Sequence, residues 1–117
     1  WTKQLGTAGE DLANGIVIDS LNQIYVTGQT NRQFGEQHFG LDDLFVVMYR
    51  IDFNQDVTEL QWIYQTGTAS AESAFGIAVC PSNHVYVTGS TKGSFDGNLN
   101  QGESDLFVHR LEEGFGP

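Results

Sequence analysis

The stretch Asp96-Gly-Asn98-Leu-Asn100-Gln-Gly102 sets an oxygen-bearing side chain at every second position and then closes on a glycine. Hard oxygen donors at this spacing are what a calcium ion takes up, which makes Asp96, Asn98 and Asn100 a candidate calcium site. The glycine falls one place later than in the helical calcium hand. Asn, Asp and Gly also populate tight turns for conformational reasons, so turn chemistry with no bound cofactor is the expected reading. His38, His84 and His109 lack both the His-x-x-x-His spacing and the cysteine partners of a zinc site. Cys80 is the only cysteine, which excludes an internal disulfide. No Lys, Arg or His adjoins it to activate the thiol, so a small half-buried residue is expected there. The chain has no Gly-x-Ser-x-Gly nucleophile elbow and no phosphate-cradling glycine loop. Asp42 and Asp43 are adjacent, but neighbouring strand residues point to opposite faces, which makes them a poor acid–base pair. The segment is therefore expected not to be an enzyme.

The elements that position these residues occur twice. Trp1-Thr-Lys-Gln-Leu-Gly-Thr-Ala returns as Trp62-Ile-Tyr-Gln-Thr-Gly-Thr-Ala, Asn22-Gln-Ile-Tyr-Val-Thr-Gly as Asn83-His-Val-Tyr-Val-Thr-Gly, and Asp43-Leu-Phe-Val as Asp105-Leu-Phe-Val. The last pair is offset by one residue more than the others, placing a single insertion between Phe95 and Gly102. A period of about 60 residues with short apolar runs and regular glycines belongs to units that must stack on a neighbour to bury their faces. The repeats divide the chain at residues 1–61 and 62–117.

Each repeat reads as β throughout. Gly15-Ile-Val-Ile and Gly76-Ile-Ala-Val are continuous apolar runs, expected to be strands buried on both faces (strand a). The turn tetrapeptides Asp19-Ser-Leu-Asn and Cys80-Pro-Ser-Asn lead into Ile24-Tyr-Val-Thr and Val85-Tyr-Val-Thr (strand b), with Gly28 and Gly89 expected to end it. Leu44-Phe-Val-Val-Met-Tyr and Leu106-Phe-Val-His-Arg-Leu form strand c. Leu60-Gln-Trp-Ile-Tyr-Gln forms strand d, the same segment type as Trp1-Thr-Lys-Gln-Leu. Glycines interrupt every window long enough for an amphipathic helix. Four antiparallel strands, the most apolar first, describe a propeller blade, and the chain order becomes d, a-b-c-d, a-b-c. Trp1 and Trp62 are expected at equivalent buried places on strand d. The open strand edges at residues 1–5 and 105–111 are expected to pair with polypeptide outside the chain, either flanking blades or identical copies.

The motifs Trp-x-x-Gln-x-Gly-Thr, Ala-x-Gly-Ile-x-Val, Asn-x-Val/Ile-Tyr-Val-Thr-Gly and Asp-Leu-Phe-Val resemble those of the seven-bladed β-propeller repeat (SBBP repeat) family, many of whose members are secreted or surface-exposed. The resemblance implies an all-β propeller fold and an extracellular or cell-surface location, and it carries no catalytic residue to transfer. The first repeat departs from the second in reading Phe34-Gly-Glu-Gln where the second reads Phe95-Asp-Gly-Asn.

Alternating strand directions put the d–a loops (residues 7–14 and 68–75) and the b–c loops (29–42 and 90–104) on one end of the blades. That end collects Glu10, Asp11, Glu36, Asp42, Glu72, Asp96 and Glu103, with Arg32 and Lys92 as its few cations, while Phe34, Phe39 and Phe95 ride in the b–c loops as candidate ligand contacts. Asp43 and Asp105 are expected to clamp neighbouring backbone, and the recurring Tyr25, Tyr86, Phe45 and Phe107 to pack between blades.

Fifteen acids against five bases give a net charge of −10, which excludes sequence-independent nucleic-acid binding and attachment to anionic membranes. No apolar stretch is long enough to span a bilayer. A chain opening on Trp1 is expected to be a processed or excised segment. The expected function is a non-catalytic scaffold binding a protein or glycan through its acidic loop face. The alternatives are a calcium-dependent carbohydrate-binding ring of two-blade chains and a part of a larger propeller enzyme.

Overall fold

A computed structural model of the chain describes residues 1–34 and 40–111. It contains two antiparallel sheets in simple up-and-down order. The first is β1 (Asp11–Ile18), β2 (Gln23–Thr30), β3 (Asp43–Asp52) and β4 (Val57–Thr66), and the second is β5 (Glu72–Val79), β6 (Val85–Thr91) and β7 (Asp105–Arg110). These are strands a to d of one blade and a to c of the next. The sequence repeat and the structural blade are thus out of phase by one strand, because residues 62–66 open the second repeat but complete the first sheet on β4.

Local chemistry explains the turns. Asp19 caps the first a–b turn by accepting the backbone N–H groups of Leu21 and Gln23, both at 2.9 Å. Asn22 and Asn83 hold left-handed backbone (φ 62° and 65°), which asparagine tolerates better than branched residues. Cys80 takes the place of Asp19 and keeps the same backbone bonds, its N–H donating to His84 and its carbonyl accepting from Asn83. It is half-buried as expected, and hydrogen bonding to the His84 backbone, with smaller help from Ser82, holds its thiol below the ordinary value against the opposing effect of burial.

The strands run further than the apolar pattern suggested. β2 and β6 pass through Gly28 and Gly89 instead of stopping there. Each glycine faces a β-bulge, between Ala13 and Gly15 on β1 and between Ala74 and Gly76 on β5, and a Cβ at either would collide with the carbonyl oxygen of Leu12 or Ser73. Glycine is required here by close backbone approach.

The core lies between the sheets. Each blade has a front that meets the next blade along the chain and a back that meets the previous one. The front of the first presents Tyr25, Leu44, Val46 and Met48, and the back of the second presents Val85, Val87, Phe107 and Leu111; all eight are buried in one cluster. Trp62 packs on the same core, tilted against Tyr25 with ring centroids 6.0 Å apart. Asn14, the bulged residue of β1, donates from Nδ2 to the Ala74 carbonyl at 2.9 Å and ties the two blades at their inner strands.

Two expectations fail for one reason. Strand a is not buried on both faces, since Ile16 and Ile18 are exposed on the back of the first blade. Trp1 is not equivalent to Trp62. Residues 1–5 form no strand and Trp1 is 73% exposed, because no strand c lies beside them as β3 lies beside β4. Propeller side chains are buried by the neighbouring blade, and among the described residues none packs on the side that these face.

Candidate functional site

The d–a and b–c loops do share one end of the blades, and they are hydrogen-bonded to one another. Glu10 N–H donates to Asn31 Oδ1 at 2.8 Å and Asn31 N–H returns to the Glu10 carbonyl at 3.3 Å. Leu41 N–H reaches the Ser70 carbonyl at 3.3 Å, Glu72 N–H the Asp42 carbonyl at 2.8 Å, and Lys92 N–H the Ala71 carbonyl at 3.0 Å.

Beneath this surface each repeat builds the same carboxylate clasp. Asp11 accepts the backbone N–H of Thr7 at 2.6 Å and the hydroxyls of Thr7 and Thr30 at 2.9 and 2.6 Å. Glu72 accepts the N–H of Thr68 at 2.6 Å and the hydroxyls of Thr68 and Thr91 at 2.5 and 2.8 Å. Each clasp pins a d–a loop to the end of strand b. Burial alone would raise the Asp11 carboxyl, but the hydrogen bonds from Thr30 and Thr7 outweigh it and hold its pKa below the ordinary value. With the folded value lowered, the stability from this clasp is fully present above the unfolded carboxylate range and drains away as pH falls through the folded value.

The expected binding residues separate into two groups. Glu10, Asp96 and Glu103 are exposed on the loops and Asp42 is half-buried. Asp11 and Glu72, expected on the loop surface, lie instead on β1 and β5. Glu72 is only 1% exposed, so its carboxylate is committed to the threonines and is not offered to a ligand. Phe95 is buried edge-on against Phe107 at 5.2 Å, and the half-buried Phe34 packs on Phe45 at the same separation. Both pin their loops to the blade; burial takes Phe95 out of reach of a ligand, while Phe34 stays partly exposed and lines a cleft with Thr7 and Arg32. Glu36, Phe39 and His38 lie outside the described residues. Asp43 is buried and accepts Gln65 Nε2 at 3.0 Å, and Asp105 accepts Gln101 N–H at 2.7 Å within its own loop.

The calcium-like stretch forms a 3-10 turn at Phe95–Gly97. Asp96 sits in left-handed backbone (φ 50°) and its carboxylate meets His109 Nδ1 at 3.1 Å. Asn98 Nδ2 donates to the Phe95 carbonyl at 2.9 Å, and Asn100 Oδ1 accepts Gly102 N–H at 3.0 Å. Asn100 Nδ2 also donates to the Gly93 carbonyl at 3.2 Å, so each of the three side chains serves its own protein partners. Millimolar calcium is accordingly expected to leave the melting midpoint unchanged in the wild type and in Asp96→Ala alike. A rise that disappears in Asp96→Ala would establish the metal site.

The sequence reading did not find the role of His109. Its ring is near-parallel to Phe95 and to Tyr64, with centroids at 5.2 and 5.9 Å, and its Nε2 is 2.9 Å from the Tyr64 hydroxyl. An Asp96–His109–Tyr64 chain thereby fastens β7 of the second blade to β4 of the first. The available signal was joint departure from the repeat: Gly35, Val47 and Lys3 stand at the equivalent places in the first repeat.

Residues 1–35 match the beta-propeller repeat family. The matched stretch carries residues 1–5, β1 and β2, and Phe34 on the following loop, and the two stacked sheets are β-propeller blades. The second repeat carries the same motifs at equivalent positions. No curated protein matches the chain.

Proposed function

We propose that this blade pair is a non-catalytic scaffold, displayed outside the cell or on its surface, that binds a protein or glycan through its acidic loop face. The observation that supports this most is the division of labour among the acids. Asp11, Asp43 and Glu72 are spent inside the structure on holding the loops and Asp96 is engaged by His109, while Glu10 and Glu103 stand exposed on that fixed surface. Loops already bonded to one another lose little freedom when a partner docks, and a surface on which acids outnumber Arg32 and Lys92 favours partners carrying cationic groups. No step of this reading calls for a metal or an organic cofactor.

The test uses a lysine-rich peptide and a panel of amino-bearing and neutral glycans on the immobilised chain. Binding is expected to fall about tenfold between low and physiological salt and to weaken comparably in Glu10→Gln/Glu103→Gln. The charge-matched pair Asp56→Asn/Glu59→Gln, at the opposite end of the blade, is expected to leave it unchanged. Equal losses in both pairs would reduce the effect to net charge and remove the loop face from the account.

A further inference from the structure

Asn14 and Gly15 make the only Asn-Gly step in the sequence. Such a step is chemically exposed, because glycine has no side chain to shield its backbone nitrogen from the amide carbon of the asparagine before it.

The fold adds three conditions at this step. Ala13 pairs with Gly28 and Gly15 with Thr27, so Asn14 is the bulged residue with no partner on β2. A bulge of this kind disrupts the ladder locally, and Asn14 is exposed to water. The glycine is also hard to replace. A Cβ on Gly15 would lie 3.2 Å from the Phe75 carbonyl oxygen of the next blade and 3.4 Å from the Thr27 methyl. Close packing between the blades therefore keeps at position 15 the residue that leaves Asn14 open to attack. Finally, the amide has a structural task, since Asn14 Nδ2 is the donor that reaches the Ala74 carbonyl across the blade junction. The second repeat has the equivalent bulge between Ala74 and Gly76 but carries Phe75 there, so it keeps the backbone geometry without the reactive amide.

We propose that Asn14 is a modification site at which the chain loses ammonia without an enzyme, and that this loss opens the inner tie between the blades. The Gly15 nitrogen attacks Asn14 Cγ. A new C–N bond forms, the Cγ–Nδ2 bond breaks, and Nδ2 leaves as ammonia with the proton that the Gly15 nitrogen gives up. Water then opens the five-membered imide at either of its carbonyls, giving aspartate or isoaspartate, and nothing is oxidised or reduced. Both products lack the Nδ2 donor, so the Ala74 carbonyl loses its partner, and both add a negative charge to a chain already at −10. The isoaspartate form also lengthens the main chain by one carbon between Ala13 and Gly15, where the pairing with β2 is set on either side. This proposal is independent of what the acidic loop face binds.

The test follows the folded wild type, Asn14→Gln and Asn14→Asp in mildly alkaline buffer at physiological temperature, by anion-exchange chromatography and peptide mapping. Circular dichroism checks that each variant folds. The wild type is expected to convert to a more acidic form, with the change located at Asn14 ahead of the other asparagines. Glutamine keeps the amide but moves its carbon one methylene away from the attacking nitrogen, so Asn14→Gln should convert at least about tenfold more slowly. The separated wild-type product should unfold at a lower urea concentration than the unconverted chain, and Asn14→Asp should show that lowered midpoint from the start. Three results would each overturn the proposal. Asn14 could stay intact in the folded chain over the time in which it converts in the urea-unfolded chain. Asn14→Gln could yield acidic product as fast as the wild type. The converted form could keep the midpoint of the original.

Discussion

Glu72→Ala is expected to lower the stability of the chain by about 3 kcal/mol, measured as a shift in the urea midpoint at unchanged slope. Hydrogen bonds to a charged group are each worth roughly 1.5–3 kcal/mol, and a buried polar group deprived of its partner also incurs its own desolvation penalty. Glu72 is almost wholly buried and receives the Thr68 N–H and the Thr68 and Thr91 hydroxyls, so its removal strands all three donors. It also frees the 68–71 loop, through which Lys92 and Leu41 are bonded. The equivalent substitution Asp11→Ala is expected to cost less, about 1 kcal/mol, because Asp11 is only half-buried, water can reach Thr7, and the Thr30 hydroxyl has the Arg32 carbonyl at 3.2 Å as a second acceptor. Equal costs at the two positions would mean that burial does not set the strength of the clasp.

Leu44→Ala and Leu106→Ala, the same substitution at the same place in two repeats, are expected to differ sharply. Leu44 is fully buried between the blades, and truncating a buried leucine costs about 2–5 kcal/mol from lost transfer energy and residual cavity. Leu106 is exposed on the open front of the second blade, so its truncation should change the stability of the dilute chain by less than about 0.5 kcal/mol. Chemical denaturation at low micromolar concentration checks both. A large loss from Leu106→Ala at that dilution would mean that the front of the second blade is covered within the chain itself.

The strand order was legible because the residues that specify it recur in each repeat. Alternating β-branched and aromatic residues mark strands b and c, and Asn22 and Asn83 mark the a–b turns. What the pattern could not convey was which neighbour is present. Ile16 and Ile77 are both isoleucines of strand a, yet only Ile77 has a blade behind it. The same gap misplaced Trp1, whose likeness to Trp62 reports the repeat and not its surroundings. The acids failed for a different reason, since charge alone does not distinguish a solvated Glu10 from a buried Glu72. A signal did exist: Thr7 precedes Asp11, and Thr68 precedes Glu72, by four residues, with Thr30 and Thr91 nineteen residues beyond the carboxylates. A hydroxyl–carboxylate spacing kept in both repeats points to an internal partner more than to a ligand. His109 was legible only by contrast, as one of a group of residues that differ together between the repeats.

The central claim is that the two repeats are propeller blades stacked front to back, and the most direct measurement is nuclear Overhauser contact between the Tyr64 and His109 rings. These residues are 45 apart in sequence and sit on different sheets, so contact between them reports stacking and nothing local. The account predicts clear cross-peaks between the two rings, with His109 ring protons shifted from their usual positions by the near-parallel Phe95 ring 5.2 Å away. Absence of these cross-peaks, with His109 resonances at the positions of an exposed histidine, would contradict it.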